Sequence, residues 1–308
     1  MSNQSTFLRA RNLLICAALD KGEFGQECFL EWANMVQLTD IDYVSQKILP
    51  AIVHQLKNDE LSKQILKLVK FTRLRSQTFL EAGFRAQNLL SKESIPVAWT
   101  SGGAVIANTK VSVSDRALDE IGLLVPTSQV EMVTRILQES GFQLLPNTGL
   151  VDSSLGSDSE SNELAFRDLS GAIVNVHWHS SVGRPRSPSE EALWERVSRA
   201  ILVGRETFSI SPEDLLLQVF ARNGGSNQAS WVIDATRILE AIEIDFKLLL
   251  HISRERRLWL KAQVSLTRLA LFSPDLTPKV NKYMAPLLKF AEPLIPRFVR
   301  KALDKCAR

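Results

Sequence analysis

The sequence predicts an α+β protein, with a small mixed sheet near its middle and helices on either side. Three observations predict it. From residue 5 to 92 the apolar side chains recur every three to four positions, which is helical spacing. From Ile95 to Val125 two short apolar runs, IPVAW and EIGLLV, are separated by Gly102-Gly103 and a polar stretch. From Ser187 onward the helical spacing returns. The chain has 308 residues, 45% of them hydrophobic and 23% charged, which suits a protein with a sizeable core. Its net charge of +3 is too small to argue for a nucleic-acid partner.

The elements follow in order. FLRARNLLICAALD and CFLEWANMVQ read as helices, and TDID offers Thr39 or Asp40 as the next cap. Tyr43 to Leu56 is again helical, with Pro50 as a kink or boundary. Asp59 to Lys92 carries the longest pattern, with Lys63, Lys67, Lys70, Arg73 and Arg75 on a polar face that reads as solvated surface. A strand over Ile95–Trp99 then enters the glycine turn, followed by a short helix over Ala104–Asn108 and a second strand over Glu120–Val125. Thr127 to Ser140 is amphipathic and is ended by Gly141 at C′. A short strand over Phe142–Leu145 precedes Pro146–Glu163, a Ser-, Asp- and Gly-rich loop. Strands over Glu163–Arg167 and Ala172–His179 turn at Ser170-Gly171. A helix at SPSEEALWERV, a strand pair, and helices from Ser211-Pro212 and through ASWVIDATRILEAI complete the pattern. The expected domains are a helical region over 1–86, an α/β core over 87–183 and a helical region over 184–308.

Several classes of function are excluded by pattern. Cys16, Cys28 and Cys306 are an odd number with no close spacing, so neither a disulfide framework nor a cysteine metal site is expected. No apolar run approaches the roughly 18 residues of a membrane span, and the N-terminus lacks the pattern of a signal peptide. A cytoplasmic protein with no membrane and no nucleic-acid partner is expected. The basic tail from Asn281 to Arg308, broken by three prolines, reads as packing on its own domain. There is no P-loop, H-E-x-x-H or G-x-S-x-G motif.

The segment IPV-x-W before the glycines, R-x-x-x-E-I-G-L-L-V at Arg116–Val125, VNVHW at Val174–Trp178 and a Trp231–Asp234 helix occur in that order. In this order they resemble a bacterial family of uncharacterised nucleotidyltransferases, over roughly Gln87 to Glu243. The resemblance implies a nucleotidyltransferase-like mixed sheet with helical lobes. It also implies three changes at the family's acids. Asp-Ile-Asp falls on Glu120-Ile121-Gly122, the acid of V-E-L-H-W falls on Asn175, and a lysine falls on Ser101. A histidine of the next family helix falls on Arg222. Two divalent ions need several hard oxygen ligands, and Asp119 points to the opposite strand face from Glu120.

Implied in consequence is a catalytically degenerate protein that binds a precursor peptide or a partner enzyme in a ribosomal-peptide natural-product pathway. The cleft residues are Ser101, Gly102, Gly103, Arg116, Glu120, Asn175 and His177, with no catalytic residue, no metal and no cofactor. The alternative is an active metal-dependent nucleotidyltransferase with an altered acid set, using Mg2+ and a nucleoside triphosphate. Strand alternation also puts Asn175, His177 and His179 on one face, where Glu120 with two histidines would suit a transition metal. The plainer reading leaves His177 in a local hydrogen bond and His179 in water. Arg116 is either an anion holder or a salt-bridge partner of Asp119 or Glu120.

Overall fold

A computed structural model of the chain describes residues 3–57, 59–146, 163–179, 189–221 and 230–273. Two helices, α1 (Asn3–Leu19) and α2 (Glu23–Met35), are followed by α3 (Tyr43–Ile48), a 3-10 helix over Leu49–Gln55 and the long α4 (Glu60–Lys92). The central stretch contains β1 (Ala98–Thr100), α5 (Ser101–Thr109), β2 (Ile121–Leu124), α6 (Val130–Glu139), β3 (Gln143–Leu144), β4 (Glu163–Arg167) and β5 (Ile173–His177). It continues through α7 (Ser189–Glu195), β6 (Ser198–Leu202), β7 (Arg205–Ser209) and α8 (Pro212–Ala221). Then come α9 (Ser230–Ala241), α10 (Phe246–Glu255) and α11 (Trp259–Phe272). The α+β class and the mixed sheet are as the sequence predicts.

The chain forms two compact units, each from separate segments. The described residues of Met1–Phe71, Ser114–Arg116 and Val219–Arg308 make a helical unit, and those of Thr72–Val113 and Ala117–Gln218 make a sheet unit. The division differs from three consecutive regions, because helices from both ends of the chain belong to the same unit.

In the helical unit Asp42, rather than Thr39 or Asp40, caps α3. Its Oδ1 accepts from the backbone N–H groups of Val44 at 3.0 Å and Ser45 at 3.1 Å. Burial pushes the Asp42 carboxyl up, but the hydrogen bonds from Ser45 and Arg11 outweigh it and hold the group below its ordinary value. Thr39 and Asp40 instead lie in a 3-10 turn over Leu38–Asp40. Pro50 stands at the start of the 3-10 helix, the boundary expected of it.

In the sheet unit seven strands run in the order β3-β4-β5-β2-β1-β7-β6. The pairs β2/β5 and β1/β7 are parallel, and β1/β2, β3/β4, β4/β5 and β6/β7 are antiparallel. One face of β1, β2 and β5 carries Trp99, Leu123 and Val176 in one row, with Ile121 and Val174 in the next. These pack with Phe79, Phe84 and Leu90 of α4 and Val133 and Leu137 of α6 into a single core. Gly83 lets α4 approach, since a Cβ there would stand 2.5 Å from the Trp99 ring. The Trp99 indole N–H donates to Gln87 Oε1, which also accepts from Thr207 Oγ1 at 2.9 Å, so this buried nitrogen is satisfied.

Some boundaries differ for local reasons. The first strand begins at Ala98 rather than Ile95, because the Ile95 N–H still closes the end of α4 by donating to Leu90 O at 3.0 Å. The helix after the glycine turn begins at Ser101, and the second strand begins at Ile121. Gly141 follows α6 at φ +87° and Gly171 turns the β4–β5 hairpin at φ +83°, both as expected. Residues 147–162 of the expected loop, Arg222 and the basic tail lie outside the described residues. Lys63, Lys67, Lys70, Arg73 and Arg75 are all exposed along α4.

Candidate functional site

The second face of the same strands is polar. Register puts Thr100 of β1, Gly122 of β2 and Asn175 of β5 in one row, and Ala98, Leu124 and His177 in the next. Thr100, Asn175 and His177 are buried. Asn175 Nδ2 donates to Glu120 Oε2 at 2.9 Å, which joins the residue before β2 to the middle of β5. His177 Nδ1 lies 3.2 Å from Glu163 Oε2, across the β4/β5 pair. Thr100 Oγ1 and Asn175 Oδ1 are buried without a hydrogen-bond partner among the described residues, and they flank Gly122.

Gly122 is fixed by its neighbours. A Cβ built there would lie 2.2 Å from Thr100 Oγ1 and 2.8 Å from Ser101 Oγ. The position therefore admits no side chain unless both hydroxyls move. Ser101 itself adopts φ +54°, a left-handed conformation unusual for a residue with a Cβ. Its backbone N–H donates to Gln218 Oε1 at 2.8 Å. Ser101, Gly102 and Gly103 are buried in the first turn of α5. A Cβ on Gly103 would stand 2.4 Å from the Trp99 ring, so this glycine serves close helix–strand packing. Asn108 ties the far end of α5 to Ser209 of β7 at 2.7 Å. The turn is thus a braced corner whose first amide is occupied by a protein carbonyl.

Arg116 belongs to the helical unit. It holds Asp234 of α9 in a two-pronged ion pair, Nε to Oδ1 and Nη2 to Oδ2, both at 2.8 Å. Arg237 donates to the carbonyl of Asp115 beside it at 3.2 Å. Burial lowers the Arg237 pKa, and the Arg116 charge adds to that while Asp234 opposes it. Arg116 is therefore a salt-bridge partner, and the acid it grips is Asp234.

Six of the seven residues singled out in the sequence lie in the sheet unit, and Glu120 and Asn175 bond directly. The expected grouping of Glu120 with His177 and His179 does not form a metal centre. No group of three or more His, Cys, Asp or Glu among the described residues can hold an ion. Sequence reasoning missed Thr100, whose hydroxyl sets the character of position 122, and Gln218, which holds the turn from the end of the unit. Neither carries a local signal, because each acts on a partner chosen by the sheet order.

A family model described as an uncharacterised nucleotidyltransferase, NTP_transf_5, matches residues 23–272. No curated protein matches the chain. Among solved structures it is similar to the lincomycin-bound lincosamide antibiotic adenylyltransferase LnuA, at 12% identity and TM-score 0.38 over 52% of this chain and 95% of that one. It is similar to ANT(2")-Ia in complex with adenylyl-2"-tobramycin, at 12% identity and TM-score 0.41 over 58% and 99%. It is also similar to an antigenic nucleotidyltransferase-like protein from Paracoccidioides brasiliensis, at 16% identity and TM-score 0.41 over 69% and 91%.

Proposed function

The chain belongs to the uncharacterised nucleotidyltransferase family, and we propose that within it this protein binds rather than transfers. The observation that carries the reading is the crowding at Gly122, where a Cβ would stand 2.2 Å from Thr100 Oγ1, so that a carboxylate at the centre of the polar row requires that hydroxyl to move. A pair of divalent ions carries about four positive charges and takes hard, mostly anionic oxygens. Along Thr100, Gly122 and Asn175 there is a hydroxyl, a hydrogen atom and an amide, and the nearby Glu120 already accepts from that amide. This donor set does not fit two ions. It fits a neutral polar ligand, which could satisfy the buried Thr100 and Asn175 oxygens.

The occupant we propose is a peptide, either a precursor peptide of a ribosomal natural-product pathway or an extended segment of a partner enzyme. A separate place for a peptide backbone to dock is the sheet edge, two strands from the polar row. Strand β6 is terminal in the sheet order, and Ile201, Val203 and Phe208 on its hairpin with β7 are exposed. An extended peptide adds to such an edge through backbone hydrogen bonds, with alternate side chains meeting the apolar positions. The competing reading, an active enzyme using Mg2+ with an altered acid set that includes Glu120, rests on family membership.

Calorimetry with ATP, CTP and GTP in excess magnesium separates the two. Binding without transfer predicts no heat from any nucleotide, followed by heat from peptides encoded beside the gene. Micromolar nucleotide binding that Glu120→Ala abolishes would overturn it.

A further inference from the structure

The α1–α2 hairpin brings together two thiols that the sequence spacing leaves apart. Asp20, Lys21 and Gly22 are the whole connection, so the helices are antiparallel neighbours. Cys16 lies three residues before the end of α1 and Cys28 five residues after the start of α2. At about 1.5 Å of rise per residue, the two therefore sit within about 3 Å of the same height. Cys16 is the neighbour that acts most strongly on the Cys28 thiol. Cys28 is buried and Cys16 is partly exposed.

The closed end of this hairpin is held firmly. Asp20 Oδ1 accepts from the N–H groups of Gly22 at 2.7 Å and Gly25 at 3.3 Å. Gln55 Nε2 donates to the carbonyls of Ala17 at 3.2 Å and Asp20 at 2.6 Å. A Cβ on Gly25 would lie 1.9 Å from the Asp20 carbonyl oxygen, so the helices meet without clearance there. These contacts hold the ends of the two helices that carry the thiols against each other.

We propose that Cys16 and Cys28 are an oxidation site, forming a reversible disulfide when the protein meets a peroxide. Cys16, the thiol that solvent reaches, reacts first. Its sulfur takes one oxygen of hydrogen peroxide, the O–O bond breaks, and the other oxygen leaves as water, giving a sulfenic acid. The Cys28 sulfur then attacks the Cys16 sulfur. The S–S bond forms, the S–O bond breaks, and the hydroxyl departs as water with the Cys28 proton. One peroxide is reduced to two waters while two thiols give up two electrons. The surroundings set this order. The neighbouring Cys16, burial, and the negative charges of Glu31 and Asp20 all push the Cys28 thiol upward, so Cys28 keeps its proton. In a reducing compartment such a pair is a transient sensor rather than a permanent staple.

The test treats the native full chain with stoichiometric hydrogen peroxide. It expects loss of two of the three thiols, and peptides containing Cys16 and Cys28 joined in non-reducing mapping. Dithiothreitol should restore both. Cys28→Ser should leave Cys16 as a sulfenic acid that dimedone captures, and Cys16→Ser should leave Cys28 unmodified. The proposal is overturned if wild-type Cys16 proceeds to sulfinic or sulfonic acid with Cys28 still a thiol. It is equally overturned if the bridge joins either residue to Cys306.

Discussion

The three strands β1, β2 and β5 have two faces made from alternate residues of the same short sequences, and the two obey different rules. Trp99, Leu123 and Val176 look into the core, where every group is apolar or, like the indole nitrogen, satisfied. One position along, Thr100, Gly122 and Asn175 form a buried row with two polar atoms that have no hydrogen-bond partner among the described residues. The first face lowers the free energy of folding by removing apolar surface from water. The second face costs stability, since unsatisfied buried polar atoms are unfavourable. That cost, on the sheet face opposite the apolar core, is what supports the proposal that the row is a site.

The comparison can be broken in three places. Trp99→Ala should have the largest effect, about 3 to 5 kcal/mol of lost stability in denaturant titration, because it empties the space beneath Gly83 and Gly103. A loss under about 1 kcal/mol would mean that the core face does not hold the sheet as described. Gly122→Asp should cost about 1 to 3 kcal/mol through overpacking against Thr100 and Ser101. Adding Thr100→Ala should recover part of that loss, and failure to recover any would show that the hydroxyl is not the obstacle. Smallest is the Glu120 pair. Glu120→Ala should cost about 1 kcal/mol by leaving the Asn175 amide unpaired. Glu120→Gln, which still offers an oxygen, should stay near wild type in thermal unfolding. Equal losses for the two variants would remove the hydrogen bond from the account.

Much of this was legible in the chain itself. The order of helices and strands follows from spacing, and Gly141 and Gly171 fall where positive φ is needed. Local signals fail where several candidates are close together. TDID offers three capping residues within four positions, and the backbone selects Asp42. They fail more completely where a partner is distant. The Arg116–Asp234 pair and the Ser101–Gln218 bond each join residues more than a hundred positions apart. Each half of these pairs is visible as a motif or a polar residue, but the pairing is a product of topology. Cys16 and Cys28 are a nearer case. Their separation of twelve suggests nothing until the intervening connection is known to turn one helix back on the other.

The packing at Gly122 has a historical consequence. Glycine and aspartate codons differ by a single nucleotide, so an acid at this position is one mutation away. The protein that mutation produces has its new Cβ inside the hydroxyl shell of Thr100 and Ser101, and it is less stable before it can be useful. Most proteins have only a few kcal/mol to lose, so selection meets the cost first. An acid here requires the Thr100 and Ser101 hydroxyls to move or a second substitution to remove them. Two small hydroxyls therefore favour glycine at position 122 over any residue that carries a Cβ.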